Sequence, residues 1–509
     1  MKCTQSVSIA LPYFGYNSRM PRLNELLLPA LPPSVAIPSY DRRTVTSGIV
    51  HIGVGGFHRA HEAVYLDDLM ALGAGREWGV CGVGLRPADK AMQEALLPQD
   101  CLYTVVTRSA GGDAARVVGS LRRFLFAPDG AKAVLDALVA PATHIVSLTI
   151  TEGGYNFSPA TGEFDGENPD VRHDLQDPAH PVSVFGFLAE ALDRRRRAGQ
   201  VPFTVLSCDN VPENGDMARK TVLAFAALRD PALHDWVATN VAFPNGMVDR
   251  ITPQTTDADR AMVRQKFGIE DAWPVVCEPF RQWIIEDKFS DGRPPLERVG
   301  VQFTTDVHPY EMMKLRLLNA SHSAMGYLGF LAGFPFIHEI MADDVFRQFI
   351  KRLMDREVTP LLAPVPGIDL ADYKATLLTR FANPAIKDQT ARICLDGSSK
   401  VPKFLLPSLR EALGTGRPSA LLTLALAGWL RYLRGEDEQG EPYLIDDPRA
   451  AELQRLARQG GADPRPLLGL TDLFGDLGQL EELVRRLTRY GEELDAGGAW
   501  ATVARAVDG

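Results

Sequence analysis

The chain has 509 residues, 45% hydrophobic and 23% charged, with a formal net charge of −10. That length exceeds one typical core, so two or more domains are expected. The acidic balance leaves no global basic footprint for nucleic acid, and the most apolar run, residues 420–430, is too short to span a bilayer.

The six cysteines (Cys3, Cys81, Cys101, Cys208, Cys277 and Cys394) form no C-x-x-C pair, and most lie in apolar surroundings. This pattern argues for a reducing, cytoplasmic compartment and against zinc or a disulfide framework. The main basic cluster, Arg194 to Arg197, closes a helix expected over residues 184–197 and reads as a solvated end complementing the helix dipole.

Residues 1–19 carry no clean signal peptide and read as an extension upstream of a natural start at Met20. Pro29, Pro32, Pro33 and Pro38 mark an irregular arm, so residues 1–47 are taken as extension and arm. A strand at 49–52 then runs into Gly53-Val54-Gly55-Gly56-Phe57-His58-Arg59 and a helix through Leu66 and Met70. Strand, glycine turn and helix make a phosphate cradle, although His58 stands where G-x-G-x-x-G has its third glycine. Ile52 to Arg59 are therefore the cofactor-binding candidates. A second strand, 78–85, leads to Arg86 and Asp89. An acid there accepts from the adenosine ribose, and an arginine holds a 2′-phosphate. Asp89 favours NAD, and Arg86 leaves NADP open.

Strands are expected at 103–107, 143–150 and 203–207, and helices at 131–139, 184–197 and 217–228. The alternation implies a parallel, doubly wound sheet, with ligands at the carboxyl ends of its strands. Asn210 and the 151–156 turn stand at such ends. Asn210 is equally placed to cap the helix at 217–228. In the segment 241–253, bracketed by Pro244 and Pro253, Asp249-Arg250 reads as a surface ion pair. Strand and packing segments follow at 275–280 and 283–285. From Pro309 the pattern turns helical: 309–333, 343–362, 369–382, 402–413, 418–434, 448–459 and 476–492. A domain boundary is placed near 300, giving a dinucleotide-binding domain over 48–300 and a mainly α-helical domain over 301–509. In the first of these helices Lys314, Asn319 and His322 sit among apolar residues. Read alone, they are more readily structural than catalytic, because a lone Lys snorkels and a lone His satisfies a core hydrogen bond.

Three ordered motifs change that balance. They are Val248-Asp249-Arg250-Ile251-Thr252-Pro253, Lys314-Leu315-Arg316-Leu317-Leu318-Asn319-Ala320-Ser321-His322-Ser323, and the turn from Gly53 to His61. With them, from about residue 20 onward, the chain resembles the polyol-specific long-chain dehydrogenase/reductase (mannitol dehydrogenase) family. The resemblance implies an α/β Rossmann-type N-terminal domain, a helical C-terminal domain and a cleft between them. It implies metal-independent, NAD-dependent interconversion of a polyol such as D-mannitol and its ketose, by a monomer. It implies Lys314 as acid/base, Asn210 and Asn319 as alkoxide-stabilising amides, and His322 as the residue that orients substrate. Asp249, Arg392 and Lys400 would hold sugar hydroxyls, Val248 would line the pocket, and Glu311 would stand at a proton path. The competing readings are a fructuronate or tagaturonate reductase, an arabinitol dehydrogenase, or a nucleotide-binding sensor without activity.

Overall fold

The structure is a computed structural model and describes residues 21–157 and 163–508. The expectation about residues 1–19 lies outside them. In chain order the strands are β1 (Val35–Ala36), β2 (Ser47–Ile52), β3 (Gly79–Gly84), β4 (Tyr103–Ser109), β5 (Gly112–Val118) and β6 (Leu121–Phe126). They continue with β7 (Ile145–Leu148), β8 (Thr204–Ser207), β9 (Gly246–Asp249), β10 (Val275–Cys277), β11 (Gln282–Glu286) and β12 (Gln302–Thr304).

The first domain is organised by a parallel sheet in the order β6-β3-β2-β7-β8. Its central strands are rich in apolar residues because both faces are covered, with His51 and Ser147 as buried polar exceptions. Side chains alternate across it. Ile49, Val80, Ile145 and Leu206 pack with Val64, Leu66 and Leu69 of the helix Glu62–Ala71 on one face. Val50, Val83, Val146 and Val205 pack with the helices Ala131–Val139, Val184–Arg197 and Asn214–Arg229 on the other. Each such aliphatic side chain, fully buried, contributes roughly 1.5–3 kcal/mol.

Three expectations are corrected here. The strand at 103–107 is outside the parallel sheet: β4 pairs antiparallel with β5, in a second sheet ordered β1-β5-β4-β10. The turn at Ser109–Gly112 permits the hairpin, and the sheet's fifth strand is instead β6. The arginine run is not uniformly solvated. Arg197 is exposed, but Arg195 is 2% exposed. Its guanidinium donates to the carbonyls of Leu138, Ala140, Thr143 and Val201 at 2.6–3.1 Å. Those carbonyls lie at the unpaired end of a helix and the turns beside it, where buried acceptors need a donor. Nor is Asp249-Arg250 a surface pair, since both residues are buried. Arg250 donates to the carbonyls of Ala60 and Glu278 at 2.5–3.1 Å and so ties the end of the short helix Gly56–Ala60 to the residue after β10.

From Val307 onward the chain is helical around one apolar cluster, which also takes in Met247 of β9 and Ile284 of β11. The helix Ala320–Leu331 runs through its middle, buried on nearly every side, against Ala420–Tyr432 and Ile337–Ala342. The expected helix at 309–333 is present but changes winding. His308–Met313 is α, Lys314–Asn319 is π, and Ala320–Leu331 is α again. A second π segment, Leu353–Val358, interrupts the expected helix at 343–362. The sheet β12-β11-β9 joins the two halves. No helix among the described residues is long and apolar enough to cross a membrane.

Candidate active site

At the carboxyl end of β2 the chain turns at Gly53, with φ +95°. A Cβ there would lie 2.1 Å from the Thr149 carbonyl oxygen, so the tight turn excludes any side chain. The turn forms one wall of a cleft of about 360 Å³, lined by Ile52, Gly53, Asp89, Thr149, Thr151 and Gly154 among others. Asp89 closes the loop after β3: its Oδ2 accepts the amide N–H groups of Leu85 and Arg86, both at 2.9 Å. That leaves Oδ1 for a ligand hydroxyl. Of the cofactor candidates, Ile52, Gly53 and Asp89 line the cleft, while Val54, Gly55, Gly56, Phe57, His58 and Arg59 do not.

His58 and Arg59 point inward. The His58 ring stacks on His51 with centroids 3.5 Å apart, and burial pushes its imidazole well below the usual pKa, leaving it neutral. His51 in turn meets Ser147 Oγ at 2.8 Å and Thr149 Oγ1 at 2.9 Å. Arg59 donates to the Gly55 carbonyl at 3.2 Å and to that of Trp273. The residue in place of the third glycine therefore braces the turn from behind. His51, His58 and Glu62 together offer ligand-type atoms within 4.8 Å of one another, a grouping the cysteine spacing gave no hint of. Ser147 already engages His51 and donates to Glu62 Oε2 at 2.9 Å.

Where the two halves meet, a cavity of about 10 Å³ is lined by Asn210, Val248, Glu311 and Lys314, room for about one water molecule. Asn210 follows β8, Val248 lies in β9, and Lys314 opens the π segment. The Lys314 ammonium is buried and donates to Asn210 Oδ1. Asn210 is thus a partner of the lysine. The helix it was equally placed to cap has Glu213 at its N-cap, with no side-chain cap bond. Burial lowers the Lys314 pKa; the Asp249 and Glu311 carboxylates resist that shift and the Arg380 guanidinium adds to it. Glu311 Oε1 accepts the Glu213 amide at 2.9 Å, while its buried Oε2 has no partner.

Asn319 and His322 follow on the same helical run. Asn319 Oδ1 and His322 Nε2 are buried without partners, which is the condition of groups that await one. Burial, first of all, pulls the His322 pKa down to about 4, so the ring is neutral near pH 7. Its face lies 4.6 Å from Phe381.

Asp249 belongs to a buried cluster whose other members sequence reasoning missed. Arg380, on the helix Leu370–Phe381, donates to both Asp249 oxygens at 2.7 and 2.9 Å. It also donates to both Glu278 oxygens at 2.9 and 2.8 Å. Burial opposes charge on Asp249, but the guanidinium wins and holds its carboxyl below the usual range. For Glu278 burial prevails and the carboxyl is raised. The available signals were weak: an arginine among Leu377, Leu378 and Phe381, and an acid inside Val-Val-Cys-Glu-Pro-Phe.

Arg392 is half exposed and pairs through two nitrogens with Asp388, both at 2.7 Å. Lys400 reaches the Ile393 carbonyl at 3.4 Å, and burial lowers its pKa. Arg392 sits close enough to His322 to depress its charge, so this pair borders the same region from the far side.

The family model for the mannitol dehydrogenase Rossmann domain matches residues 47–298, and that for the mannitol dehydrogenase C-terminal domain matches residues 306–495. A mannitol 2-dehydrogenase of Pyricularia oryzae is 51% identical over 482 residues, 93% of this chain and 96% of that protein. Among solved structures, the Pseudomonas fluorescens mannitol 2-dehydrogenase ternary complex with NAD and D-mannitol is 48% identical. It superposes with a TM-score of 0.88 over 96% of this chain and 99% of that one. A substrate-free D-sorbitol dehydrogenase is 39% identical, with a TM-score of 0.87 over 95% of this chain and all of that one. A Rossmann-type sheet joined to a helical domain, with matches along nearly the whole length, makes this chain a member of the mannitol dehydrogenase family.

Proposed function

We propose that the protein is an NAD-dependent polyol dehydrogenase that interconverts D-mannitol and D-fructose. The single observation that carries this reading is the buried Lys314 ammonium on Asn210, at the carboxyl ends of the strands beside the nucleotide cleft. The solved relative that holds NAD and D-mannitol supports the choice of cofactor and substrate. The cleft fits a dinucleotide: Gly53 keeps the turn free of side chains, and Asp89 has an oxygen spare for a ribose hydroxyl. Bound there, NAD would accept the hydride.

The chain's own residues account for the rest. Neutral Lys314 takes the hydroxyl proton as the carbon–hydrogen bond breaks; its lowered pKa makes the neutral form accessible. Asn210 gives its carbonyl oxygen to Lys314, which leaves its NH2 to donate to the developing alkoxide. Asn319 supplies the second amide, and one such donor is worth roughly 2.7–4 kcal/mol. Asp249, His322, Arg392 and Lys400 fix the flexible polyol over the reacting site, and Val248 packs against it. Glu311, with one oxygen free, is the proposed path by which the proton leaves Lys314. No step needs a metal.

Against a uronate substrate, the Arg392 charge is offset by Asp388, though Nη1 remains for a hydroxyl, and Asp249 is held ionised. The likeness to a D-sorbitol dehydrogenase keeps other hexitols as the second reading. The five described cysteines are free and buried, in keeping with a cytoplasmic setting. The change of family model between 298 and 306 supports a domain boundary near 300. The test is NADH production with mannitol, arabinitol and sorbitol, and NADH consumption with fructose and fructuronate. Mannitol and fructose are expected to lead. Fructuronate leading would overturn the substrate, and no activity on any would favour the sensor.

A further inference from the structure

We infer that Arg380 is a positioning residue for polyol specificity: it reaches across the domain seam and sets the carboxylate plane of Asp249 for the substrate. The inference rests on the functional reading above. Arg380 belongs to the helical domain, while Asp249 and Glu278 belong to the sheet domain. None of the three is more than 7% exposed.

The hydrogen bonds can be counted. A guanidinium has five N–H groups. Here Nε serves Glu278, Nη1 serves Asp249, and Nη2 serves one oxygen of each. Glu278 Oε1 also accepts the Ile251 amide at 2.6 Å, which ties the acid to the backbone just after β9. The Phe280 ring lies 4.0 Å from the guanidinium carbon and blocks a swing away from the pair. Arg380 therefore has one hydrogen-bonded position. Asp249 gives one lone pair of each oxygen to Arg380 and keeps the other, so two acceptor directions remain, both fixed by the fork. A paired buried carboxylate with open acceptor directions suits vicinal hydroxyls. Without its partner the same charge would be buried and uncompensated. Because the fork spans the seam, the acceptor geometry exists only when the two domains are docked. A lysine cannot replace it, being a point charge without a planar fork.

The test is a double-mutant cycle on mannitol oxidation, with Arg380→Lys, Asp249→Asn and both together. NADH binding, read by fluorescence, reports on the fold. The Arg380→Lys protein is expected to raise KM for mannitol about tenfold while kcat falls less than about threefold, the scale of one mispointed charge-assisted hydrogen bond. In the Asp249→Asn background the same change should add less than about twofold, since Arg380 would act through Asp249. Two effects that multiply independently would overturn the inference, as would kcat and NADH binding falling together with KM. If Arg380→Lys does not fold, Glu278→Gln frees one side of the fork; a raised KM with NADH binding kept supports the inference, and an unchanged KM overturns it. A wild-type protein that oxidises no polyol removes the functional reading itself, whereas an active wild type with independent effects removes this inference alone.

Discussion

The nucleotide cleft and the pocket at the seam are built by opposite means. The cleft is roomy, about 360 Å³, and much of its wall is backbone: Gly53, Gly153, Gly154 and a loop closed by Asp89 on two amides. The pocket around Lys314 is narrow, about 10 Å³, and is lined by side chains from both halves of the chain, among them the charged Asp209, Glu311 and Lys314, with the Asp249–Arg380 pair close by. Backbone shape tolerates changes that leave the turn intact. A set of mutually paired charges does not, because each removal strands a partner.

The contrast orders the expected effects. Lys314→Ala should cost the most, about 10²–10⁴ in kcat by loss of the proton acceptor, with NADH binding nearly unchanged; equal loss of both would make the lysine structural. Asn210→Ala should lower kcat about 10²–10³-fold with a smaller change in KM. An effect confined to KM would remove the alkoxide role. On the cleft side, Gly53→Ala should weaken NADH binding and lower thermal stability, because the new Cβ meets the Thr149 carbonyl at 2.1 Å and φ is +95°. Such strain costs about 1–3 kcal/mol. Wild-type binding in that variant would break the distinction between the two regions. Asp89→Ala should bring the NAD and NADP rates together by about tenfold, roughly one hydrogen bond; an unchanged ratio would assign ribose reading to another residue.

The seam should also carry the pH dependence. On the proposed mechanism Lys314 acts as base in its neutral form and as acid in its charged form. Polyol oxidation should therefore rise with pH through the lysine's own titration, and ketose reduction should fall through it. Because burial lowers that titration, the midpoint should lie below 10.5, the ordinary lysine value. A midpoint that stays put in an active Lys314→Arg protein would assign the pH limb elsewhere.

What the sequence made legible follows the same division. Helix spans set by apolar periodicity and punctuation came through closely, as at Val184–Arg197, where the Ser183 hydroxyl accepts the Gly186 amide at 3.0 Å. The glycine turn was recognisable because strand, turn and helix are adjacent in the chain. Arg195, Arg380 and Glu278 were not. Their meaning lies in partners between 6 and 131 residues away, and a charge with a distant buried partner reads locally as a solvated one. The strand β6 was missed for a related reason. Its interior Arg122 and Arg123 break the apolar run expected of a strand in a parallel sheet, yet the sheet places it at an edge.

The winding of residues 314–319 has one more consequence. In a regular α-helix two residues five apart point about 140° away from each other. An i→i+5 turn brings them toward one side, so Lys314 and Asn319 share a face only because that stretch is overfull by a residue. Rewound at ordinary α pitch, the same residues would form a helix intact in composition and in every named side chain. Lys314 and Asn319 would then look in different directions. The winding of this helix is in that sense a component of the proposed site, and it could be lost without changing any residue assigned to the chemistry.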